Sequence, residues 1–308
     1  MTPTFDTPTW DSEGRRVDRF IFLTFNGLSF GMVYAAVALA LVLIWRSTRV
    51  LNFAQGAMAT ACAYVAITVQ QHTGSYWLGF AAALAAGFVL AAIIERIFFR
   101  RLEGAPPLNS IVIGVGLLIL IEASLGMIYG IANRDLQHAF STTTYKLGHA
   151  ALFSNQDIFT VGSVLGVMVL FAAIFTRTDL GLRMRAAAYA PEVARLLGVR
   201  VGRMLTLGWA LAGVVGALAG LLVIPTGLGL YPAAIDGVFV LGFTGAVVGG
   251  LDSPVGAVVG GVATGLVLSY ASGYIGSDVT QLAALVLLVV VLLVRPEGLF
   301  STTRARQV

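Results

Sequence analysis

The chain of 308 residues contains a few residues whose types and spacing could carry chemistry. The pentapeptide GLSFG, residues 27–31, fits the G-x-S-x-G nucleophile pattern, but it stands early in a long apolar segment rather than on a strand-to-helix turn. The single lysine, Lys146, belongs to no GxxxxGK[ST] motif, so the chain lacks the phosphate-binding loop of an ATPase. The three histidines have no helix-spaced partner that would favour a metal. The sequence therefore predicts no catalytic residue, no metal site and no cofactor.

A carboxylate inside an apolar segment is a different kind of signal. Glu122, in LILIEASLG, lies roughly 12 Å along a predicted helix from its outer end. A carboxylate among lipid tails costs several kcal/mol (about 2.5 or more), so we expect Glu122 to face the helix bundle or a water-filled path. A structural hydrogen bond to a neighbouring helix and a direct contact with a solute both satisfy that expectation.

Two segments, 52–69 and 225–251, are apolar but interrupted by glycine, proline or polar residues. Paired broken segments of this kind indicate the pathway of a transporter. In the first segment, Asn52, Gln55 and Gly56 stand at a predicted helix start, with Asn52 as its N-cap. A plain cap near the cytoplasmic surface is the alternative interpretation.

The second segment contains a 14-residue apolar piece, which makes about 21 Å of helix and is short of a full crossing. We therefore expect non-helical backbone before it, in a stretch that lines the same path as the first segment and includes Gly229. Asp236 is predicted as the cap of the following half-helix, and a place at the outer surface is equally allowed. The glycines and proline expected in non-helical conformation are Gly227, Gly229, Pro232 and Gly237.

Residues 178–204 form a basic loop with five arginines between apolar spans. Basic loops stay on the cytoplasmic side, so this loop is predicted to face the cytoplasm. Within it, Pro191 suits the first position of a short helix and Gly198 suits its left-handed stop. A rigid helix at the membrane surface suggests a docking element, and an ordered loop that merely fixes topology is the alternative. The predicted docking residues are Pro191, Glu192, Arg195, Leu196, Leu197 and Gly198.

Composition indicates that the residues singled out above are positioned by transmembrane helices. With 58% hydrophobic and 11% charged residues, the chain is predicted to be an all-α polytopic membrane protein with one transmembrane domain, residues 20–300. Polar tails are predicted at 1–19 and 301–308. The net charge of +4 is concentrated at span ends and gives no nucleic-acid signature. Four pairs of small residues spaced four apart predict close helix packing: Gly216/Gly220, Gly245/Gly249, Gly256/Gly260 and Gly261/Gly265.

The number of crossings depends on how segment 52–69 is interpreted. If it spans, the chain crosses nine times, with its amino terminus outside and its carboxyl terminus inside. If it is re-entrant, there are eight crossings and both termini lie inside. Eighteen apolar residues suffice to span, so nine crossings are preferred. The other predicted spans begin near residues 20, 76, 108, 157, 205, 238, 254 and 279, and residues 131–156 form the longest internal polar loop.

With these pieces placed, residues 27–66, GLSFGMVYAAVALALVLIWRSTRVLNFAQGAMATACAYVA, resemble the opening of the H-type permease subunits of high-affinity branched-chain amino acid ABC importers. The resemblance continues in family order through AYAPEVARLLGVRV, FTGAVVGGLDSPVGAVVGG and RPEGLF, over residues 20–300. There are two departures. Ala190 stands where the family often has Asn or Asp before the coupling helix, and Leu241 stands where some members carry lysine.

The resemblance implies a permease subunit in the inner membrane of a prokaryote that translocates a small solute, with branched-chain amino acids as the first expectation. It also implies four kinds of partner: a second related permease, two cytoplasmic ATPase subunits that hold ATP and Mg²⁺, an extracytoplasmic substrate-binding protein, and membrane lipid. Urea or short amides are alternative solutes. A stand-alone secondary transporter is the competing class, although it would need more intramembrane ionisable groups than Glu122.

Overall fold

A computed structural model describes residues 14–102, 105–141, 143–147 and 150–300. Within these residues the chain forms eleven α-helices and one β-hairpin. The helices are α1 (Gly14–Thr48), α2 (Gln55–Thr73), α3 (Tyr76–Ile97), α4 (Pro107–Tyr129), α5 (Asn155–Arg177), α6 (Asp179–Tyr189), α7 (Pro191–Leu196), α8 (Val201–Val223), α9 (Asp236–Gly249), α10 (Pro254–Tyr274) and α11 (Thr280–Val294). The strands are β1 (Thr144–Leu147) and β2 (Ala150–Ser154).

Seven helices are long and apolar enough to cross a membrane, which confirms an all-α polytopic membrane protein. Two shorter or less apolar helices, α2 with 19 residues and α9 with 14, complete the bundle. They coincide with the two broken segments. The crossing segments are Val17–Thr48, Tyr76–Leu102, Leu108–Tyr129, Asn155–Arg177, Val201–Thr226, Pro254–Tyr274 and Ser277–Val294.

Contacts between helix ends divide the bundle into a basic end and an outer end. At the basic end, Arg49 after α1 pairs with Asp252 between α9 and α10, and Arg100 after α3 donates to the carbonyl of Gly202 in α8. At the outer end, Arg19 of α1 donates to the carbonyl of Gly273 near the end of α10. Helix α2 runs toward the outer end, parallel to α8. This direction follows because successive turns of α2 contact successive turns of α8 in the same order. The seven candidate spans among the described residues are fewer than the nine crossings preferred from the sequence, and α2 and α9 are the two remaining segments of that count.

Helices α1 and α8 form the buried centre of the bundle. The predicted close packing through small residues is found there and around α10. A Cβ atom placed on Gly245 of α9 would lie 2.8 Å from the Cα atom of Gly261 in α10. Because real Cβ atoms do not approach this closely, the two backbones can meet only if glycine is retained.

One predicted boundary needs correction, and two predicted loops contain elements that the sequence did not indicate. Helix α1 begins at Gly14, so residues 14–19 are helical rather than part of a polar tail, while residues 1–13 and the tail 301–308 lie outside the described residues. The polar loop 131–156 contains the antiparallel hairpin β1–β2. The basic loop contains a further helix, α6, because Thr178 accepts a hydrogen bond from Gly181 N–H (3.2 Å) and caps it.

Candidate translocation path and docking surface

The start of α2 is built from buried amides. The Nδ2 group of Asn52 donates to Gln55 Oε1 (3.1 Å), and Asn52 Oδ1 accepts from the N–H of Ala54 (3.1 Å). Gln55 Nε2 reaches the carbonyl of Ala212 in α8 (3.5 Å). Asn52 is fully buried and Gln55 is 2% exposed. Asn52 is therefore not the predicted N-cap: Ala54 holds that position, and Asn52 instead closes the turn before it.

The start of α9 follows the predicted non-helical backbone. Gly227 and Gly229 have φ values of +99° and +72°, which favour glycine, and the residues from Leu230 to Ile235 that precede α9 are irregular. Leu230 and Ile235 are buried, so this irregular chain lies inside protein, where its polar groups are tolerated. Two details were wrong. Asp236 is the first residue of α9 rather than its cap, which is Ile235, and Gly237 is helical.

The two helix starts meet. A Cβ atom on Gly56 would lie 3.5 Å from Asp236 Oδ1 and 3.3 Å from the Cβ atom of Phe239. The carboxyl groups of Glu122 in α4 and Asp236 are near enough to interact electrostatically, and Glu122 Oε1 is buried without a hydrogen-bond partner among the described residues. We call this group the helix-start cluster: Asn52, Gln55, Gly56, Glu122 and Asp236.

Helix geometry places the cluster well inside the bundle. At 1.5 Å per residue, Asp236 lies about 20 Å from the basic end of α9. Gln55 touches Gly216, which lies about 22 Å along α8 from its basic end. Glu122 lies about 22 Å along α4. On a crossing of about 30 Å, all three lie about two thirds to three quarters of the way from the basic end to the outer end.

Gly229 is not part of this cluster. A Cβ atom on Gly229 would collide with the side chain of Asn133, and the adjacent Leu230 pairs with Arg134 in an isolated antiparallel bridge. Gly229 therefore lies at the outer mouth, beside the chain that follows α4, whose end is about two helical turns beyond Glu122. The sequence predicted that Gly229 and the helix-start cluster line one path, whereas the structure places them at different depths.

The cluster combines two helix amino termini with two carboxyl groups. Helix amino termini carry partial positive charge, and the carboxyls carry or share negative charge. Such a place can hold the polar end of a small solute while apolar neighbours such as Phe53 and Phe239, whose ring centroids are 6.4 Å apart, contact the rest. The pentapeptide 27–31 lies within α1, where Gly27 and Gly31 pack on α10, so Ser29 has no strand-to-helix elbow.

Helices α6 and α7 form a separate docking surface at the basic end. Ala187, Ala194 and Val201 pack together and seat α7 on the start of α8. The predicted stop is present: Gly198 has φ +80°, its N–H donates to the carbonyl of Arg195 (3.0 Å), and Val199 N–H donates to the carbonyl of Ala194 (2.9 Å). These two bonds are those of a Schellman motif. Ala190 makes no side-chain cap, as its identity predicted.

The exposed face of α7 is apolar, and no described residue covers it. Leu196 is 88% exposed and Leu197 is 77% exposed, and Val193 adds to the same surface. We use the name docking surface for Pro191, Glu192, Arg195, Leu196, Leu197 and Gly198, all of which are exposed. A cavity of about 360 Å³ separates the seat of these helices from the basic ends of α1, α3 and α4.

Sequence comparison decides the family. The family described as branched-chain amino acid transport system / permease component matches residues 23–295. The chain belongs to this family.

Relatives in the branched-chain permease family align over nearly their whole length. The chain is 27% identical to the high-affinity branched-chain amino acid transport system permease protein LivH of Escherichia coli (strain K12), over 94% of this chain and 98% of LivH. It is 27% identical to the corresponding protein BraD of Pseudomonas aeruginosa, over 92% and 96%. A probable LivH of Methanocaldococcus jannaschii is 27% identical over 89% and 90%. The chain is thus a multi-pass membrane protein and a transport component of a prokaryote.

One buried network of this permease was not predicted. Glu95, 1% exposed at the end of α3, accepts from Arg100 Nη2 (2.9 Å) and from the hydroxyl of Thr206 in α8 (2.7 Å). Arg100 also donates to the carbonyl of Gly202 (2.6 Å). The network joins α8, the helix that follows the docking surface, to the end of α3. The sequence signal was a glutamate followed by arginines at the end of a span, and nothing local pointed to Thr206.

Proposed function

We propose that the chain is the membrane permease subunit of an ABC importer for branched-chain amino acids. Family membership and relatives named for that transport support the solute class. The observation that carries the proposal is the meeting of two half-helix starts beside Glu122 and Asp236, inside the bundle. Discontinuous helices whose amino termini meet at mid-depth are a recurring way to build a solute site in membranes.

The proposed path runs through the helix-start cluster, and its residues bind rather than react. The ammonium group of an amino acid suits the carboxyls of Glu122 and Asp236, and its carboxylate suits the N–H groups at the start of α2. Asn52 and Gln55 fix that start against α8. Gly56 leaves space beside Asp236 that a side chain would fill. Nothing in this set forms or breaks a covalent bond, so the subunit is proposed to be non-catalytic.

The energy is proposed to come from partners. The sequence contains no Walker A motif, so two cytoplasmic ATPase subunits would bind ATP and Mg²⁺ and would receive Leu196 and Leu197 in an apolar groove. A second, related permease would complete the membrane assembly. An extracytoplasmic binding protein would deliver the solute to the outer end.

The test is uptake by right-side-out membrane vesicles of the native host, with and without the gene, in the presence of the co-produced binding protein. We expect the deletion to abolish ATP-dependent uptake of labelled leucine, isoleucine and valine, and an intact copy to restore it. Loss of urea or short-amide uptake with normal leucine uptake would overturn the solute class. Uptake that persists when the partner ATPase carries an inactive Walker A lysine would instead support a stand-alone transporter.

A further inference from the structure

A second polar space lies at the outer end of the bundle and shares no residue with the helix-start cluster. We call it the outer cavity; its volume is about 190 Å³, which suits one small solute. It lies between α1, the hairpin, the start of α5 and the end of α8. Most of the residues that line it are polar although α1 and α5 are membrane helices, among them Asn26, Ser29, Gln156, Asp157, Thr160 and Thr226.

Gln156 gives the clearest sign that the outer cavity takes a ligand. Its side chain is 4% exposed, and its Oε1 atom accepts a hydrogen bond from the N–H of Phe140 (3.2 Å), which fixes the orientation of the amide. Its Nε2 group is buried and finds no partner among the described residues. A buried amide donor without an acceptor is costly, so the geometry calls for an acceptor such as a carboxylate oxygen in the cavity.

Asp157 supplies the opposite charge next to that donor. Its Oδ2 atom accepts from the N–H of Ser154 (2.8 Å) and from the Ser154 hydroxyl (2.7 Å), which caps α5. No hydrogen bond to Oδ1 is found in the part of the chain that the structure describes. The carboxylate therefore retains an acceptor for a cation, next to an amide that has retained two donors.

The remaining wall is apolar and comes from one face of α1. Phe22, Phe30 and Val33 line the cavity and lie on the same face as Asn26 and Ser29, because residues three, four and seven apart share a helix face. The cavity thus offers a negative group, an amide donor, hydroxyls and an apolar wall within one small volume. The negative group, the amide donor and the apolar wall match the three parts of a hydrophobic α-amino acid: its ammonium, its carboxylate and its side chain.

We propose that the outer cavity is a reception site for a hydrophobic α-amino acid zwitterion, which it holds before the solute reaches the helix-start cluster. Asp157 Oδ1 accepts from the ammonium group, Gln156 Nε2 donates to the carboxylate, and Phe22, Phe30 and Val33 contact the side chain. The inference rests on the proposed function, since the solute class is the same.

Thiol protection in right-side-out vesicles of the native host tests the site. In a Cys62→Ala background, Ser29→Cys places a thiol in the outer cavity, and its reaction rate with a membrane-impermeant maleimide is measured. Saturating L-leucine is expected to slow labelling strongly. Three probes should protect weakly: 4-methylpentanoate, which lacks the ammonium group; isopentylamine, which lacks the carboxylate; and urea, which lacks both charges and the apolar side chain.

One control variant and one alternative probe accompany Ser29→Cys. Ser277→Cys is exposed at the same end of the bundle and lies away from the cavity, so no solute should change its labelling. If Ser29→Cys fails to assemble, Thr226→Cys probes the same cavity from the 3-10 turn that follows α8, where residue 226 is exposed. Protection of both cavity cysteines by lipid or detergent, but not by leucine, would overturn the proposal.

Two further variants test the assigned contacts. Asp157→Asn keeps an oxygen for the cap of α5 but removes the charge, and Gln156→Met keeps the size but removes the donor. Each should raise the leucine concentration for half-protection about tenfold or more, as expected for a hydrogen bond to a charged group. Asp157→Asn should in addition let 4-methylpentanoate protect as well as leucine does, which a merely structural role would not produce.

Uptake in the same vesicles separates the two proposals. If wild-type vesicles take up leucine but leucine protects neither cavity cysteine, the reception site is wrong and the proposed function stands. If they take up no hydrophobic amino acid, the proposed function fails and this inference fails with it. Uptake together with protection that depends on Asp157 and Gln156 supports both.

Discussion

The docking surface and the helix-start cluster are opposites in how they are held. Leu196 and Leu197 are 88% and 77% exposed and contribute little to the fold, whereas Asn52 and Gln55 are almost completely buried and hydrogen-bonded. An exposed apolar side chain can be altered without a stability cost, so its importance must come from a partner. A buried polar side chain affects the stability of the bundle and the solute at once. A substitution in the docking surface therefore tests the binding of a partner, whereas one in the helix-start cluster tests stability and solute binding together.

The helix-start cluster is itself divided. On the α2 side, the amides of Asn52 and Gln55 satisfy one another and the carbonyl of Ala212. On the α9 side, Asp236 and Glu122 are partly exposed, and one oxygen of Glu122 has no partner among the described residues. Satisfied, buried groups are structural, and a polar group without a hydrogen-bond partner is available to a solute. We infer that the amides of Asn52 and Gln55 stabilise the helix-start cluster, and that the carboxyls of Asp236 and Glu122 contact the solute.

The largest effect is expected at the docking surface. Leu197→Asp should abolish leucine uptake, because a charged carboxylate in an apolar groove is expensive to bury. The melting temperature of the variant in detergent should stay near that of the parent, since surface substitutions usually change stability by less than about 0.5 kcal/mol. Uptake in vesicles and a thermal melt are the two measurements.

The control for this variant is Ser277→Asp, which adds the same charge to an exposed position at the outer end. It should transport normally. Normal transport by Leu197→Asp at normal membrane abundance would contradict the coupling role of α7. The contrast between the docking surface and the helix-start cluster would then no longer hold.

A smaller but substantial effect is expected from the carboxyls of the helix-start cluster. Asp236→Asn should lower leucine uptake about tenfold or more, the scale of one hydrogen bond to a charged group. Its melting temperature should not fall, because the substitution relieves repulsion between two adjacent carboxyls. Glu122→Gln is the matched variant and should behave similarly. Equal loss of stability and uptake in both variants would make the pair structural.

The amide side should show the reverse pattern. Gln55→Leu removes the acceptor of Asn52 Nδ2 and the contact with Ala212, and it leaves a buried donor without that bond. We expect a loss of about 1–3 kcal/mol in the free energy of unfolding, with little change in the preference for leucine over other solutes.

The matched control for the amide side is Gln71→Leu, the same change at an exposed position of α2 outside this network. It should leave the melting temperature closer to that of the parent. A Gln55→Leu protein with unchanged stability and altered solute preference would place Gln55 in the path and erase the division between amides and carboxyls.

Sequence patterns were sufficient where local chemistry decides the structure. Apolar length predicted the spans, glycine and proline predicted the two half-helices, and Pro191 and Gly198 predicted both ends of α7. Patterns failed where partners distant in sequence decide the outcome. Asn52 looked like a cap until Gln55 and the turn residues were placed around it, and no periodicity could bring Thr206 to Glu95. Gly229 and Asp236 were grouped by proximity in sequence, although the chain between them changes depth.

The smallest effect is expected from restoring the cap that α7 lacks. Helix α7 has six residues, and Ala190 before it offers no side-chain acceptor. Ala190→Asn supplies one for the N–H groups of the first turn, and caps of this kind stabilise a helix by about 0.5–1 kcal/mol. We expect slower hydrogen exchange at the amides of the helix, with uptake unchanged or slightly raised, because the docking surface becomes more rigid without changing its exposed leucines.

Ala190→Gln is the control for the cap, because its longer side chain is a poor N-cap while its amide is the same group. It should leave the exchange rates unchanged. Slower exchange in both variants would point to a general effect of polarity at this position. Slower exchange in Ala190→Asn together with a marked fall in uptake would show that the docking surface works by bending rather than by presenting a rigid apolar face. The contrast with the helix-start cluster would then rest on mobility rather than on burial.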